Sequence, residues 1–278
     1  MSASIDQAFI KQYAAEVHEA YQRQGSKLRA TVRSKTGVKG ASTVFQRVGA
    51  GTAASKARNG IVPLMNINHT NVECFLQDHY AGDWIDKFDE LKVNIDERAV
   101  VTNAGAYALG RKTDELIIAA LDGSTNEAIG TNAGETDNDG LTRNKVLRAF
   151  EMLGTADVPD DGNRVAIVGW KQWSELLAIQ EFANSNFAGP DELPWKGGTQ
   201  AKRWLGALWM PHSGLTKTGA LRYCYFYHRT SVGHAAASEV MTDVTWHGDR
   251  AAWFVNSMMS QGAALIDAAG AVRMRCKE

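Results

Sequence analysis

The sequence predicts an α+β protein, and three of its patterns lead to that prediction. Apolar residues at helical spacing over 94–121 predict one long helix, with Asn94 and Glu97 as its N-cap and N3 residues. Two β-type runs, at 42–48 and 71–80, predict a pair of strands. After residue 140, short apolar runs alternate with amphipathic helical segments. Both kinds of element therefore belong to one chain, whose 44% apolar and 22% charged content is typical of a globular protein.

The N-terminal segment has a single apolar stripe, which predicts a helix that ends at Gly25. The residues of the stripe recur every four positions and are Ile5, Phe9, Tyr13, Val17 and Tyr21. Two interpretations fit this pattern. The helix packs on its own domain, or it is an arm that packs on a neighbouring subunit.

The two β-type runs predict an extended hairpin with a long tip. Residues 49–58 are rich in small side chains, and the whole of 26–61 has few large apolar groups. A hairpin of this composition cannot form a core alone. It therefore either stays mobile or lies on another surface.

The predicted long helix dominates the middle of the chain. At about 1.5 Å per residue it extends for roughly 40 Å. Gly105 and Gly110 lower its helix propensity but permit another backbone to approach closely. The polar stretch 122–140 then predicts a long loop of the kind that serves contacts.

The second half predicts helices at 141–153 and 170–183 and a buried strand at 164–168. Further strands are predicted at 205–210, 222–228, 240–246 and 251–255. A terminal hairpin is predicted from 263–266 and 272–275.

Charge is segregated along the sequence, although the net charge is only −1. Between residues 21 and 73 there are nine basic residues and no acidic residue, namely Arg23, Lys27, Arg29, Arg33, Lys35, Lys39, Arg47, Lys56 and Arg58. Between residues 113 and 142 there are seven acidic residues and no Lys or Arg, namely Asp114, Glu115, Asp122, Glu127, Glu135, Asp137 and Asp139. Like charges repel, so such blocks are better tolerated when another molecule supplies the opposite sign. Nucleic acid and a second copy of the chain are the two candidates.

No catalytic, cofactor-binding or metal site is predicted. Residues 49–56 lack the glycine that precedes the lysine of a phosphate-binding loop. His69 and Cys74 would point to opposite faces of a strand, so they are poor joint ligands for zinc. The common nucleophile, zinc-protease and Cys-x-x-Cys motifs are absent from the sequence. The prediction is therefore a protein that is not an enzyme and uses no cofactor.

The cysteines and the lack of a signal-peptide pattern indicate the cellular compartment of the protein. Cys74, Cys224 and Cys276 are far apart and odd in number, which favours a reducing compartment over a disulfide framework. The sequence has no signal-peptide pattern and no apolar run long enough to span a membrane. We therefore expect a protein that is made and kept in the cytoplasm, or in a particle assembled there.

Several short motifs carry a family resemblance. They are DWIDKFDELK at 83–92, IDER at 95–98, AGAYALGRKTDEL at 104–116, GAALID at 262–267 and GAVRMRC at 270–276. In this order they resemble the tailed-bacteriophage major capsid proteins that share the HK97-type fold. The motifs cover about a third of the chain, and the order of the predicted elements extends the resemblance over nearly all of it.

The resemblance implies a domain organisation. Its parts are an N-terminal arm over 1–30, a hairpin called the E-loop over 31–82, a P domain over 83–154 with a spine helix at 94–121, an A domain over 155–230, and a return to the P domain over 231–278. Some members carry a cleaved scaffolding segment ahead of the arm. This sequence begins at the arm, so the resemblance implies a separate scaffolding protein or none.

The resemblance also implies a function and partners. It implies a major capsid protein that assembles through hexamers and pentamers into an icosahedral phage head around double-stranded DNA, in the host cytoplasm. The implied partners are other copies of the chain, a scaffolding protein, a portal, a possible decoration protein, and packaged DNA bound without sequence preference. No membrane is implied. No motif assigns the Lys and Asn that cross-link subunits in some members.

Two roles for the charge blocks follow from this resemblance. In the first, the basic arm and E-loop of one copy lie across the acidic spine end and following loop of the next. In the second, the basic arm residues face the phosphates of the packaged genome.

The main alternative is a non-specific nucleic-acid-binding protein that uses the basic segment 21–60. Aromatic residues in that segment are limited to Tyr21 and Phe45, so platforms for base stacking are missing. The near-neutral net charge also disfavours it. A small-molecule enzyme with an α/β domain comes third, because the sequence offers no convergent polar groups for a pocket.

Overall fold

The computed structural model describes residues 25–92, 96–128, 139–183 and 201–278. Its helices are α1 (Lys87–Lys92), α2 (Glu97–Asp122), α3 (Arg143–Thr155), α4 (Trp170–Ala178) and α5 (Gln180–Ala183). Its strands are β1 (Arg33–Thr36), β2 (Ser42–Val48), β3 (His69–Phe75), β4 (Gln77–Asp86), β5 (Glu127–Ala128), β6 (Arg164–Val168), β7 (Lys202–Trp204), β8 (Ala207–Pro211), β9 (Lys217–Thr218), β10 (Leu221–His228), β11 (Val232–Ala236), β12 (Met241–His247), β13 (Ala252–Leu265) and β14 (Ala271–Lys277). This mixture confirms the predicted α+β class. The helix predicted over 5–21 lies outside the described residues.

The described chain forms two compact units. The first contains 78–92, 96–111 and 239–259, and the second contains 26–77, 112–128, 139–183, 201–238 and 260–278. The elements α2, β4 and β13 each contribute residues to both units.

The second unit holds the larger sheet, whose described strands run in the order β5-β14-β10-β6-β8-β7, with β9 beside β10. β10 is antiparallel to both β14 and β6, and β6 is parallel to β8. All five residues of β6 are buried, as its apolar run predicts. α3 packs on this sheet through a stripe that includes Val146, Ala149 and Leu153. Its N-cap is Thr142, whose side chain accepts the Lys145 N–H at 3.3 Å.

A row of aromatic rings crosses the core of the second unit. The ring centroids are separated by 5.6 Å between Trp173 and Phe182, and by 5.3 Å between Phe182 and Trp204. The row continues from Trp204 to Trp209 at 5.5 Å and from Trp209 to Phe226 at 5.8 Å. The indole N–H of Trp209 donates to the Trp204 carbonyl at 2.9 Å. These tilted and edge-to-face contacts make the rings part of one packed core.

The second unit also carries the predicted hairpin. β2 and β3 pair in an antiparallel register from Ser42↔Phe75 to Val48↔His69. β1 lies parallel to β11, and β11 pairs with residues 261–265 of β13. The second β-type run of the sequence is two strands, β3 and β4, which are separated by Leu76.

The first unit is a sheet with a helix against it. β12 is antiparallel to residues 252–258 of β13, and β4 also pairs with β13. A methyl group at Gly105 of α2 would lie 2.8 Å from Ser257 Oγ and 3.4 Å from the Ala81 carbonyl oxygen. Gly105 therefore lies tightly against the Ser257 side chain, and a larger residue there would push α2 away from the strands.

The start of the long helix differs from the prediction. α2 begins at Glu97, and the Asp96 side chain accepts the Ala99 N–H at 3.3 Å. The Asp96 carbonyl accepts the Val100 N–H at 3.2 Å, so Asp96 acts as the N-cap. Asn94, the predicted cap, lies outside the described residues.

Three predictions in the second half are wrong. The strands predicted at 251–255 and 263–266 belong to one strand, β13. The predicted terminal hairpin does not form, because β14 pairs with β10 and β5 instead of β13. The helix predicted over 170–183 is two helices, since Ile179 adopts an extended conformation with ψ 120°.

Candidate intersubunit surfaces

The hairpin is fixed at its root by a small core. Phe45 and Cys74 are buried together with Ala235 and Ile266. A methyl group at Gly233 would lie 2.6 Å from the Phe45 ring, so only glycine lets the ring rest on β11. The Arg47 guanidinium and the Asp267 carboxylate form an ion pair at 3.0 Å. Cys74 thus faces the core while His69 is exposed, which agrees with the prediction that they point to opposite faces.

The tip of the hairpin contrasts with its root. Residues 49–68 contain no described strand, and Gly49 N–H donates to the Asn68 carbonyl at 2.7 Å where the tip begins. Ile61 is 95% exposed and Leu64 is 84% exposed, and Val62 and Met65 are also exposed. Large apolar side chains held this far into solvent are a typical feature of surfaces that bind another protein. The tip therefore belongs to the predicted contact surface.

The basic block is largely on the surface. Its exposed described members are Lys27, Arg33, Lys35, Lys39, Arg47, Lys56 and Arg58. Arg29 is half-buried, and Arg23 lies outside the described residues. Some of these residues have contacts in their own chain: Lys35 Nζ donates to Thr43 Oγ1 at 2.7 Å, and Arg33 lies over the Phe45 ring at 5.7 Å. Lys56 and Arg58 are on the hairpin tip.

Asp114, in the acidic block, points inward. Its side chain is completely buried and accepts the Ser26 hydroxyl at 2.6 Å and the backbone N–H groups of Leu28 at 3.1 Å and Lys27 at 3.2 Å. His212 Nε2 lies 3.0 Å from the same carboxylate. The Gly214 N–H donates to His212 Nδ1 at 3.1 Å, so Nε2 carries the proton and donates to Asp114.

The surroundings of Asp114 favour its charged form. Burial alone would raise the pKa of this carboxyl, but the hydrogen bonds from His212, Ser26, Leu28 and Lys27 outweigh burial and lower the pKa below its ordinary value. Asp114 therefore attaches the chain at 26–28 to α2 as an anion.

Asp122 and Glu127 are also used inside the fold. Asp122 accepts the Tyr225 hydroxyl and the Thr216 hydroxyl, the latter at 2.6 Å. Glu127 accepts Arg273 and Arg275, the latter at 2.6 Å. Burial acts to raise the pKa of Glu127, but hydrogen bonds and charge from the two arginines lower it overall.

The proposed partner role of these three carboxylates therefore needs correction. Asp114, Asp122 and Glu127 are occupied by donors of their own chain, which a buried or half-buried anion requires. Glu115 is exposed and pairs with Lys112 at 3.2 Å, and Asp139 is half-buried. Glu135 and Asp137 lie outside the described residues. The helical spacing contained a signal for Asp114, because it lies three and four residues before the buried Ile117 and Ile118.

A second acidic surface was missed in the sequence. The described part of the first unit contains ten acidic and five basic residues. Its exposed acidic residues are Asp78, Asp83, Asp86, Asp89, Asp96, Glu239, Asp243 and Asp249. The hairpin segment 31–77, by contrast, contains six basic residues and one acidic residue. The signal for these exposed carboxylates was the presence of three aspartates, Asp83, Asp86 and Asp89, within seven residues of one motif.

The described residues carry no group of three or more His, Cys, Asp or Glu side chains that could hold a metal ion. Within the same residues, no helix is long and apolar enough to cross a membrane. All three cysteines are free and buried.

Comparisons with known proteins identify the fold. No curated relative matches the sequence. Among solved structures, a chain of Mycobacterium phage Che8 is 18% identical with a TM-score of 0.70, covering 96% of this chain and 97% of that one. The capsid structure of cyanophage P-SCSP1u is 14% identical with a TM-score of 0.73, covering 99% and 94%. The capsid of a native GTA particle is 12% identical with a TM-score of 0.72, covering 99% and 98%.

These similarities confirm the predicted HK97-type capsid fold over essentially the whole chain. The family model described as phage capsid protein matches residues 5–278. Membership of this family also confirms the prediction of a structural protein that is not an enzyme. The chain therefore belongs to the phage capsid protein family.

Proposed function

We propose that this protein assembles through hexamers and pentamers into an icosahedral phage head that encloses double-stranded DNA. The observation that carries the proposal is the hairpin, whose root is buried in its own unit while its tip holds Ile61, Val62, Leu64 and Met65 in solvent. A hairpin built in this way gains a buried surface only when another molecule covers it. In a closed shell every copy can cover the tip of a neighbour.

The charge contact between copies is proposed in a revised form. The basic hairpin of one copy lies on the acidic surface of the first unit of the next copy, rather than on the spine end. The exposed carboxylates support this assignment, as do the opposite charges of hairpin and first unit. Each exposed pair contributes only about 0–1 kcal/mol, but a shell repeats the contact in every copy.

The packaged genome is the proposed second partner of the basic residues. Arg23, Lys27 and Arg29 are in the proposed N-terminal arm, and Lys and Arg attract phosphates without reading sequence. The other proposed partners are a separate scaffolding protein, a portal and a decoration protein, with assembly in the host cytoplasm. The domain organisation proposed with these contacts runs from the arm at 1–30 to the return to the P domain at 231–278.

The first experiment is negative-stain electron microscopy of the purified protein, together with its size-exclusion profile. We expect shells, tubes or rings of five or six subunits, either from the chain alone or on co-expression with a scaffold candidate. A small oligomer that shifts on adding DNA would favour the nucleic-acid-binding alternative. A small oligomer that ignores both DNA and every scaffold candidate would count against the capsid function.

A further inference from the structure

A cleft opens at the root of the hairpin, apart from the exposed tip. Its volume is about 220 Å³, and its lining includes Glu73, Cys74 and Phe75 of β3, Leu116 of α2, and Gln261 and Ala263 of β13. These residues all belong to the second unit. Pockets for drug-sized molecules have volumes of about 300–1,000 Å³, so the cleft suits a smaller molecule.

Gln261 brings an unused hydrogen-bond donor to this cleft. The residue is completely buried, and its Oε1 accepts the Thr113 hydroxyl at 2.7 Å. His234 Nε2 lies 3.1 Å from the same oxygen and donates to it, because an amide oxygen can only accept. The Gln261 Nε2 group, by contrast, has no hydrogen-bond partner among the described residues. Buried polar groups are nearly always paired, so an unused donor beside a cleft indicates a bound molecule that accepts from it.

The other lining groups restrict the chemistry of that molecule. Glu73 contributes a carboxylate, which repels an anion and attracts a hydrogen-bond donor. Leu116 and Ala263 contribute apolar surface. Burial raises the pKa of the Cys74 thiol, so Cys74 is a neutral lining group and a poor nucleophile. A neutral molecule with a carbonyl acceptor, an adjacent N–H donor and a small alkyl group matches these groups and the donor of Gln261.

We propose that the cleft is a binding site for a small neutral primary amide. Its carbonyl oxygen accepts from Gln261 Nε2, its NH2 group donates to the Glu73 carboxylate, and its alkyl part packs on Leu116. The bound molecule contacts β3, α2 and β13 together, so it stabilises the root of the hairpin against opening. All of these groups come from one copy of the chain, and binding therefore does not require assembly.

Saturation-transfer difference NMR with isobutyramide tests the site on the purified full chain, in whatever oligomeric form the chain adopts. A molecule of this size is expected to bind with a dissociation constant in the millimolar range. Two analogues of the same shape are the controls: isobutyrate replaces the NH2 group by a charged oxygen, and methyl isopropyl ketone replaces it by a methyl group. Each should bind at least about fivefold more weakly, because a hydrogen bond is lost or a repulsion is gained. Equal binding of the three molecules, or no binding of the amide, would overturn the proposal.

Two variants show whether the amide binds in the cleft. Leu116→Phe fills the cleft from α2. Gln261→Glu removes the NH2 donor and keeps an oxygen for Thr113 and His234. Both should weaken isobutyramide binding at least about tenfold, whereas Leu147→Phe, the same substitution at an exposed residue of α3, should leave it unchanged. Binding that survives in Leu116→Phe would reject the site, and this variant decides alone if Gln261→Glu does not fold.

Hydrogen exchange of the wild-type chain tests the site without any substitution. At an isobutyramide concentration ten times its dissociation constant, amides of 73–75 and 261–263 should exchange about tenfold more slowly, since they open only when the molecule leaves. Amides of β12 should not change. Unchanged exchange at the hairpin root would reject the site whether or not the chain forms shells, so this result is separate from the test of the capsid function.

Discussion

Asp114 shows how a single buried carboxylate can join distant parts of the chain. It receives hydrogen bonds from Ser26, Lys27 and Leu28 on one side and from His212 on the other, and these donors are 86 to 98 positions away from it in sequence. Its replacement by an amide of the same size leaves an NH2 group facing donors. Residues 26–28, near the end of the proposed N-terminal arm, would lose their attachment to α2.

We therefore expect Asp114→Asn to lower the free energy of unfolding by about 3 kcal/mol, since donors that were paired with a buried anion lose it. Urea unfolding of the unassembled protein measures this change. The matched control is Glu115→Gln, at the next residue of α2 but exposed, which should change stability by less than about 0.5 kcal/mol. Equal effects of the two variants would contradict the role of Asp114.

The pH dependence of stability provides a second test of Asp114. Because its folded-state pKa is lowered from the ordinary value of 3.8, the stability it contributes is fully present above that value. That contribution is lost as the pH falls through the lower folded-state pKa. The difference in unfolding free energy between wild type and Asp114→Asn should therefore be constant near neutral pH and shrink below about pH 4. Taking the difference between the two proteins removes the contribution of the other carboxylates to the pH dependence. A difference that grows in acid would refute the role of Asp114 as a stabilising anion.

At the scale of elements, the hairpin root depends on Phe45, which fills the small core between β2, β3 and β11. Phe45→Ala should lower the free energy of opening the hairpin by about 3 kcal/mol, through lost burial and the cavity left behind. Hydrogen exchange should then accelerate in β2 and β3 but not in β6. Val44→Ala is the control, since Val44 is exposed on the same strand and its loss should change exchange little. Equal acceleration in β6 would mean that the hairpin does not open separately.

Some elements could be predicted from the sequence because their pattern is local. β2 and β6 match the predicted runs residue for residue, since each is a short apolar or alternating segment between turn residues. β13 was predicted as two short strands because Asn256, Ser257 and Gln261 interrupt its apolar pattern. The Ser257 hydroxyl bonds to Thr242 at 2.9 Å, and Gln261 accepts the Thr113 hydroxyl at 2.7 Å. Partners so distant in sequence cannot be read from spacing.

At the scale of the whole molecule, the sequence predicted one of the two charged surfaces of the proposed contact between copies. The basic block is mostly exposed, as a solvated block of like charge requires. Asp114 and Glu115 are adjacent in sequence yet face inward and outward, because neighbours on a helix are separated by about 100°. A charge count over 113–142 cannot separate them. The exposed carboxylates of the first unit come from 78–89, Asp96 and 239–249, and only the fold brings those segments into one unit.

Salt and charge reversal test the revised contact. Lys56→Glu combined with Arg58→Glu should raise the protein concentration needed for assembly, because two attractions in every copy become repulsions. The dependence of wild-type assembly on salt should be steeper than that of the variant, since salt screens exposed pairs. Light scattering from low to molar salt measures both. Lys171→Glu, an exposed change in α4, is the control. If assembly depended neither on salt nor on the charge reversal at Lys56 and Arg58, the proposed electrostatic contact would be wrong.

Charge reversal in the arm distinguishes a contact with the packaged genome from a contact between subunits. Charge reversal at Arg23, Lys27 and Arg29 should impair DNA packaging while empty shells still form, if these side chains face phosphates. Electron microscopy counts shells, and nuclease-protected DNA measures packaging. Loss of shells themselves would place the three residues in the contact between subunits.

The aromatic row from Trp173 to Phe226 contributes an optical signature of the second unit, beside that of the Trp84–Phe254 and Trp246–Trp253 pairs of the first unit. Rings held at 5.3 to 5.8 Å and at fixed tilts lie in an asymmetric environment, which produces near-ultraviolet circular dichroism. The contribution of the row follows the side-chain packing of the second unit, and it is lost in a molten state that retains its helices and strands. A capsid that expands or loosens while the signal is constant has moved its subunits as rigid bodies, whereas a capsid that loses the signal has softened within them.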